Sequence, residues 1–470
     1  MASPGMGSAT GPDKLKAVTA LVERLSKDID SLSLQPKERN DALEELKVYG
    51  RDPKDAGPIF TKEGISMLLK FAFHNSCQET SLAALRVLAN SMLLKTETRQ
   101  MVVDQGYAAK ACEHLDTDSW DNEFLISRII FLTTYGTSVD LRALIKEHKL
   151  AEGINATLAR HAELLSKKTT TPTPPMEGMA LTETLKLVFN ITHYCKDEAA
   201  AFNPSIPHII ALFWRQDIPD SDPLDPPFGP LVNSLLNMDL KADESMPALF
   251  PNDDPAKVCS RLISLLEKAM KTYSSTKLDS TVTALVSILA KAYEVAPETA
   301  RERMRRDLLP TTEDRKAVLG KGQTLAARLL QNSTNPMAPS FRVAISHLLF
   351  DMSDKDASKF VENVGYGFAS GFLFQNNVPI PASAQRAFSA QDTTGAEKPV
   401  NPITGQFLEK EKHARETPMT EEEKEREAER LFVLFERLKK NGVIDVQNPV
   451  EKAVQEGRFE ELPDDYDDEK

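Results

Sequence analysis

Apolar residues recur at helical spacing along most of the chain, in runs that end on a polar residue. Leu85–Asn90, Leu185–Asn190 and Leu231–Asn237 end in asparagine, and the last also carries Asn233. Further runs are Arg128–Thr133, Leu285–Lys291 and Ile345–Asp351. Their closing residues stand at 90, 133, 190, 237, 291 and 351, steps of 43, 57, 47, 54 and 60 residues. Armadillo and HEAT units take about 40–47 residues, with insertions placed in loops. The long steps contain such insertions: 167–179 is Thr/Pro-rich, and 217–230 holds five prolines. No alternation suited to a sheet is visible. The pattern predicts an all-α, armadillo/HEAT-like superhelical solenoid, with a flexible C-terminal region carrying one extra helix.

The recurrent asparagines bear on function. One asparagine on a helix surface is ordinary. A row at one phase offers paired donors and acceptors to the backbone of another chain, because a buried amide without partners costs roughly 1–3 kcal/mol. Asn90, Asn190, Asn233 and Asn237 are the candidates for a peptide-gripping surface.

Boundaries follow from composition. Residues 1–12 are small and polar, with no apolar core of a signal peptide, and read as disordered. The solenoid is expected over 13–375. Its first helix spans 13–34, with Asp13 as N-cap and Leu15, Val18, Val22, Leu25, Ile29 and Leu32 on one stripe. A second runs from Pro36 to Gly50. Residues 376–418, poor in apolar side chains, read as a flexible linker. A helix follows over 419–441, with a Thr420/Glu423 capping box and Leu431, Leu434, Phe435 and Leu438 on one face. That face is expected to meet a partner or to fold back on the solenoid. Residues 442–470 form an acidic tail.

Charge and chemistry narrow the classes. The net charge is −13, and residues 401–470, with 20 acids against 12 bases, supply −8 of it. A nucleic-acid partner is not expected. No run is suited to span a membrane. Cys77, Cys112, Cys195 and Cys259 are widely spaced, so buried reduced thiols are expected, with neither disulfides nor a metal site. Catalytic motifs are absent, the histidines share no face with carboxylates, and no cofactor is implied. Gly365-Tyr366-Gly367 lacks the strand and third glycine of a dinucleotide loop. Arg301, Arg303, Arg305 and Arg306 make a basic stretch, read as a solvated helix face or a phosphate dock.

Several segments resemble the synembryn family, cytosolic exchange factors and folding chaperones of heterotrimeric G-protein α subunits. They include Ser81–Asn90, Arg128–Thr134, Glu183–Thr192, Val361–Leu373 with its Gly-Tyr-Gly, Asn401-Pro-Ile-Thr-Gly405 and Met419–Lys424. The sequence around the linker is similar to the fungal branch. The resemblance implies a non-catalytic regulator of a GTPase, cytoplasmic and monomeric, brought to the cell cortex by its client. It implies that the concave face grips the C-terminal helix of a GDP-bound or nucleotide-free α subunit through Asn90, Asn190, Asn233 and Asn237, with Arg51, Arg86 and Arg128 as polar contacts. It also implies that the helix around Leu431–Leu438 reaches the client's switch region. Animal members carry a phosphorylatable acidic stretch before the Asn-Pro motif. Here Ser389 and Thr394 each keep one acid at +3 without the acid run, and they are the candidate phosphorylation sites. Two readings without exchange activity remain: an armadillo scaffold or transport adaptor for extended peptides, and a scaffold of the phosphatase-regulator kind.

Overall fold

In the computed structural model, the described residues are 9–167, 174–379, 388–391 and 395–411, with Thr420, Arg426 and Arg430. The chain divides into two units, 1–410 and 411–470. The expected helix over 419–441, its face of Leu431, Leu434, Phe435 and Leu438, the tail beyond 441, Thr394 and residues 1–8 lie outside the described residues, apart from the three isolated positions.

The periodic runs fold as expected. Pro36–Tyr49, Gln78–Leu94, Trp120–Thr133, Pro175–Tyr194, Phe228–Leu235, Thr283–Val295 and Pro339–Met352 are helices. Each packs on the next in this order, as the rungs of a ladder. Further helices back them: Lys62–His74 lies on Gln78–Leu94, Leu150–Ser166 on Ile206–Leu212, and Lys257–Thr272 on Thr283–Val295. The apolar stripes form the core: Leu85, Leu88, Ile129, Ile130, Leu185, Val188, Leu231, Leu285, Leu289, Ile345 and Leu348 are all buried. Each such side chain contributes about 1.5–3 kcal/mol of transfer free energy. Among the described residues, no helix is long and apolar enough to cross a membrane.

Helix starts follow local chemistry. Thr61, Ser119, Asp140, Thr324 and Asp356 each accept a main-chain N–H of the first turn. Pro36 opens its helix behind a Gln35/Glu38 capping box, and Gly50 closes it as expected. The first helix starts and ends earlier than expected, Gly11–Ser31, so Gly11 and Pro12, read as part of a disordered N-terminus, are helical. Asp13 lies in its first turn instead of capping it, and Leu15 and Leu32 are exposed. The chain turns at Leu32, in left-handed backbone at φ 48°, because Asp28 takes the Leu34 N–H and pairs with Arg39 at 2.5 Å. The Thr/Pro-rich insertion ends earlier than expected, since Pro175 already begins a helix.

Within the span read as a linker, the chain forms a small antiparallel hairpin: β1 (Phe388–Gln391) pairs with β2 (Glu397–Val400), Phe388 opposite Val400. This corrects the expectation that no strand exists. Four-residue strands are too short to show a period of two. After β2, the Asn401–Gly405 turn returns to the helices. Leu319, Tyr366 and Gly367 donate their N–H groups to the carbonyls of Thr404, Pro402 and Ile403, at 3.1, 2.8 and 3.1 Å. Gly365-Tyr366-Gly367, far from a nucleotide loop, thus receives the Asn-Pro-Ile-Thr-Gly segment. A Cβ on Gly365 (φ +83°) or Gly367 would crowd the Ile403 carbonyl at 3.1–3.2 Å.

Candidate partner-binding surface

Arg86, Asn90, Arg128, Asn190, Asn233 and Asn237, chosen from the sequence, recur with further residues at three- and four-residue spacing along successive rungs. Arg86, Asn90 and Leu94 occupy the second rung; Phe124, Arg128, Phe131 and Tyr135 follow the third; Lys186, Asn190 and Tyr194 occupy the fourth; Asn233 and Asn237 the fifth. Helical spacing puts such residues on one face. The second and fourth rungs therefore each present a cation, then an amide, then an apolar or aromatic group, whereas the third sets Arg128 among aromatic rings. Asn233 and Asn237 depart from the cation-first order, and Asn237 lies just past the end of its helix.

Arg86 and Arg128 bind neighbouring rungs, and Lys186 binds within its own. Arg86 reaches Asp121 at 2.8 Å and Glu44 at 3.9 Å. Arg128 forks onto Glu183 at 3.0 and 3.3 Å and covers the Phe124 ring at 4.4 Å. Lys186 also meets Glu183, at 3.4 Å. All three remain partly exposed, so a partner's carboxylate has access to them. Arg51 is exposed at the end of the first rung.

The amides divide into two kinds. Asn190 is buried: it donates to Thr134 Oγ1 at 2.8 Å and accepts from the Tyr135 hydroxyl at 3.3 Å. Asn237 reaches back to Thr192 at 3.5 Å. Lys291, at the same phase, donates to the Leu236 carbonyl at 2.5 Å. These polar groups tie each rung to the one before. Asn90 is half-buried and has no hydrogen-bond partner among the described residues, and Asn233 is exposed. Asn90 is therefore the amide best placed to meet another chain.

The C-terminal edge of the rungs adds residues that sequence reasoning missed. Leu93 (55% exposed) and Tyr194 (54%) stand out with Leu94 and Tyr135. Tyr135 packs edge-on against Phe131 and Tyr194, with centroids at 5.2 and 6.4 Å, and His193 stacks on Phe189 at 5.9 Å. Leu94 and Tyr194 each follow an asparagine by four residues, so one more turn of the same phase would have found them. A hollow of about 360 Å³ opens at the opposite, N-terminal end of the third and fourth rungs, lined by Phe124, Arg128, Met179, Glu183, Lys186 and Arg215 among others. Three cations against one carboxylate in that set suit an acidic or carboxylate-bearing partner.

Behind the surface lies a buried polar network. His161 contacts Glu123 at 2.9 Å through Nε2 and Glu177 at 3.1 Å through Nδ1. Arg160 binds Glu123, and Arg215 forks onto Glu177. Thr184 donates to Glu123 at 2.9 Å and meets Ser127 at 3.0 Å. Burial disfavours a charged ring, yet the bonds from Glu123 and Glu177 outweigh it and raise the His161 pKa. Burial likewise acts to raise Glu177, but His161 and Arg215 hold it down at about 2. The sequence reading that no histidine shares a face with carboxylates fails here, because the partners come from other helices.

The remaining candidates are engaged elsewhere or lie apart. Arg301 donates to the carbonyls of Tyr293 and Glu294, Arg305 to the Tyr293 hydroxyl and Glu298, and Arg303 to Asp307. Ser389 is exposed on β1. Cys112 and Cys259 are buried, with pKa values pushed up to about 12 by burial, whereas Cys77 and Cys195 are half-buried.

A family described as guanine nucleotide exchange factor synembryn matches residues 42–458. A synembryn-like chaperone of Schizosaccharomyces pombe is 24% identical over 413 residues, covering 81% of this chain and 76% of that protein. Chaperone Ric-8A of Xenopus tropicalis is 26% identical over 474 residues, covering 91% and 86%. Chaperone Ric-8A of Mus musculus is 24% identical over 462 residues, covering 90% and 85%.

Proposed function

The chain belongs to the synembryn family, and from that premise we propose that it is a guanine nucleotide exchange factor and folding chaperone of G-protein α subunits, acting without catalysis of its own. The observation that carries this reading is the family match over residues 42–458. The ladder surface supports it by offering cations, an amide with no hydrogen-bond partner among the described residues, and an aromatic edge.

In this reading the α subunit's C-terminal helix lies along the rungs. Arg51, Arg86, Arg128, Asn90, Asn190, Asn233 and Asn237 border it, and Leu93, Tyr135 and Tyr194 pack on its apolar side. Leu431, Leu434, Phe435 and Leu438 meet the switch region of the same client. Holding the last helix away from the body of the α subunit loosens the guanine site, and GDP leaves. The client is engaged GDP-bound or nucleotide-free, by a monomer in the cytoplasm that the client draws to the cell cortex. Ser389 and Thr394 are the sites at which phosphorylation would tune the activity.

The thermodynamics set a limit. A binding protein shifts a client's equilibrium only by its difference in affinity for the two states. Turning a 1:99 population of the open client into 99:1 takes about 5.5 kcal/mol of that difference. A groove surface and a second contact together are suited to supply it.

The test is GDP release from a purified fungal-type α subunit, with and without this protein, beside the yield of folded α subunit in cell-free translation. Acceleration of release and a raised yield are expected. Tight binding of the client's C-terminal peptide without either effect would leave a peptide-binding scaffold and end the proposal.

A further inference from the structure

Arg315 is 8% exposed and forms no ion pair with a carboxylate among the described residues. Its guanidinium donates to three main-chain carbonyls, Gly405 O at 3.0 Å, Glu362 O at 2.7 Å and Asn363 O at 3.3 Å, and lies over the Phe388 ring at 5.8 Å. Two of these carbonyls belong to the last turn of helix Ala357–Val364, where a cation is favoured by the helix dipole and by the unpaired C=O groups. The third belongs to the Asn401–Gly405 turn. The main chain of Arg315 takes part too, its carbonyl accepting the Phe407 N–H at 2.9 Å. Gln406 donates to the Lys316 carbonyl at 3.1 Å, and Val400 and Phe407 are buried. Gly405 has φ +68°, and a Cβ there would run into Leu319.

A buried guanidinium is costly unless every donor has a suitable partner. Here the three bonds can form together only when the turn and the helix end are both in place. The arrangement is therefore a clasp closed by Arg315, and not a loop resting on a surface.

We propose that Arg315 is a positioning residue for nucleotide exchange: by clasping the Asn401–Gly405 turn it fixes the point from which the chain beyond Lys410 departs. This rests on the proposed exchange function. Thr420, where the second client-contacting segment begins, lies ten residues after Lys410 but forty-five after Gln375, the end of the last helix of the solenoid. The effective concentration of a tethered contact falls roughly as the −3/2 power of tether length. Opening the clasp lengthens the tether between four- and fivefold and so lowers that concentration about tenfold.

The experiment compares the full-length wild type with Arg315→Met, Arg315→Lys, Gly405→Ala and the Arg315→Met/Gly405→Ala double variant. Amide hydrogen exchange reads the clasp at Leu319, Tyr366, Gly367 and Phe407, whose N–H groups it occupies. Fluorescence titration reads binding of a peptide copying the client's C-terminus, and GDP release reads the activity. Faster exchange at those four amides is expected, with unchanged peptide affinity and about tenfold slower GDP release. The double variant should be no worse than either single one, and Arg315→Lys should lie between. Gly405→Ala acts on the turn alone and serves if Arg315→Met does not fold. Free exchange at the four amides with undiminished GDP release would reduce the clasp to a structural detail. Protected amides in Arg315→Met, a parallel loss of peptide binding, or failure of both single variants to fold would equally overturn the inference. A wild type that does not accelerate GDP release at all would point to the exchange reading itself, and the inference would fall with it.

Discussion

His161 and Glu123 meet at 2.9 Å with both side chains fully out of water. Because the other ring nitrogen faces Glu177, both nitrogens must carry protons for each to donate. The two carboxylates, each of which also has an arginine, favour the protonated ring and raise the His161 pKa. This network binds the Leu150–Ser166 helix to the third and fourth rungs.

The pH dependence follows in sign. His161 has a folded pKa raised above its unfolded value near 6.5. Its contribution is fully present below that value and is lost as pH rises through the folded pKa. Glu177, lowered from 4.5 to about 2, contributes above 4.5 and loses that contribution as pH falls. His161→Gln should lower stability at pH 6 by about 3 kcal/mol, the low end for breaking a buried ion pair, since each carboxylate keeps an arginine. It should also flatten the alkaline limb. Chemical denaturation between pH 5 and 9 checks both (steps of about one unit suffice). A wild type as flat as the variant across that range would show that the folded pKa of His161 is not raised.

Asn90 and Asn190 should separate in their effects. Asn190→Ala removes ties to Thr134 and Tyr135 and should cost about 1–2 kcal/mol of stability. Asn90→Ala leaves the fold intact and should weaken client-peptide binding by about 1–3 kcal/mol. Melting curves beside binding titrations decide the matter. Unchanged affinity in Asn90→Ala would remove this amide from the interface.

The apolar edge gives a second test of the surface. Leu93→Ala with Tyr194→Ala truncates two exposed side chains, so stability should stay within about 0.5 kcal/mol. Affinity for the client's C-terminal peptide should fall at least tenfold, about 1.4 kcal/mol. If the peptide binds the double variant as it binds the wild type, the edge is ordinary surface.

Phosphate on Ser389 would add about −1.5 to −2 charge to an exposed strand position. With Thr394 modified as well, GDP release should rise, and the rise should shrink at 1 M salt, where the Debye length is about 3 Å. Kinase treatment, site mapping by mass spectrometry and a release assay measure it. Stoichiometric phosphate at both sites with an unchanged rate would end the idea.

The ladder was legible because its signal is local: each rung buries a stripe at helical spacing, and the repeated polar residue marks the phase. What each polar residue binds was not legible. Asn190 and Thr134 are 56 residues apart, and His161 and Glu123 are 38 apart. Nothing in the spacing distinguishes Asn190, tied to another rung, from Asn90, which is not. The Gly-Tyr-Gly and Asn-Pro-Ile-Thr-Gly segments stood out singly as motifs. That they are the two sides of one contact depends on a return of the chain that no periodicity encodes. The hairpin escaped notice because its strands are short and its apolar contact, Val400, packs beneath the turn that follows.

The fifth rung is the shortest of the ladder, eight residues in Phe228–Leu235 against twenty in Pro175–Tyr194. Each rung touches chiefly its neighbours, so the stack transmits load in series, like links in a chain. Stiffness in series is set by the softest link. A client pulling on both ends of its groove would stretch the protein mainly at Phe228–Leu235, where the long Asn237–Thr192 bond and the Lys291–Leu236 bond span the joint. Load applied along the stack would then be stored as elastic strain chiefly at this joint.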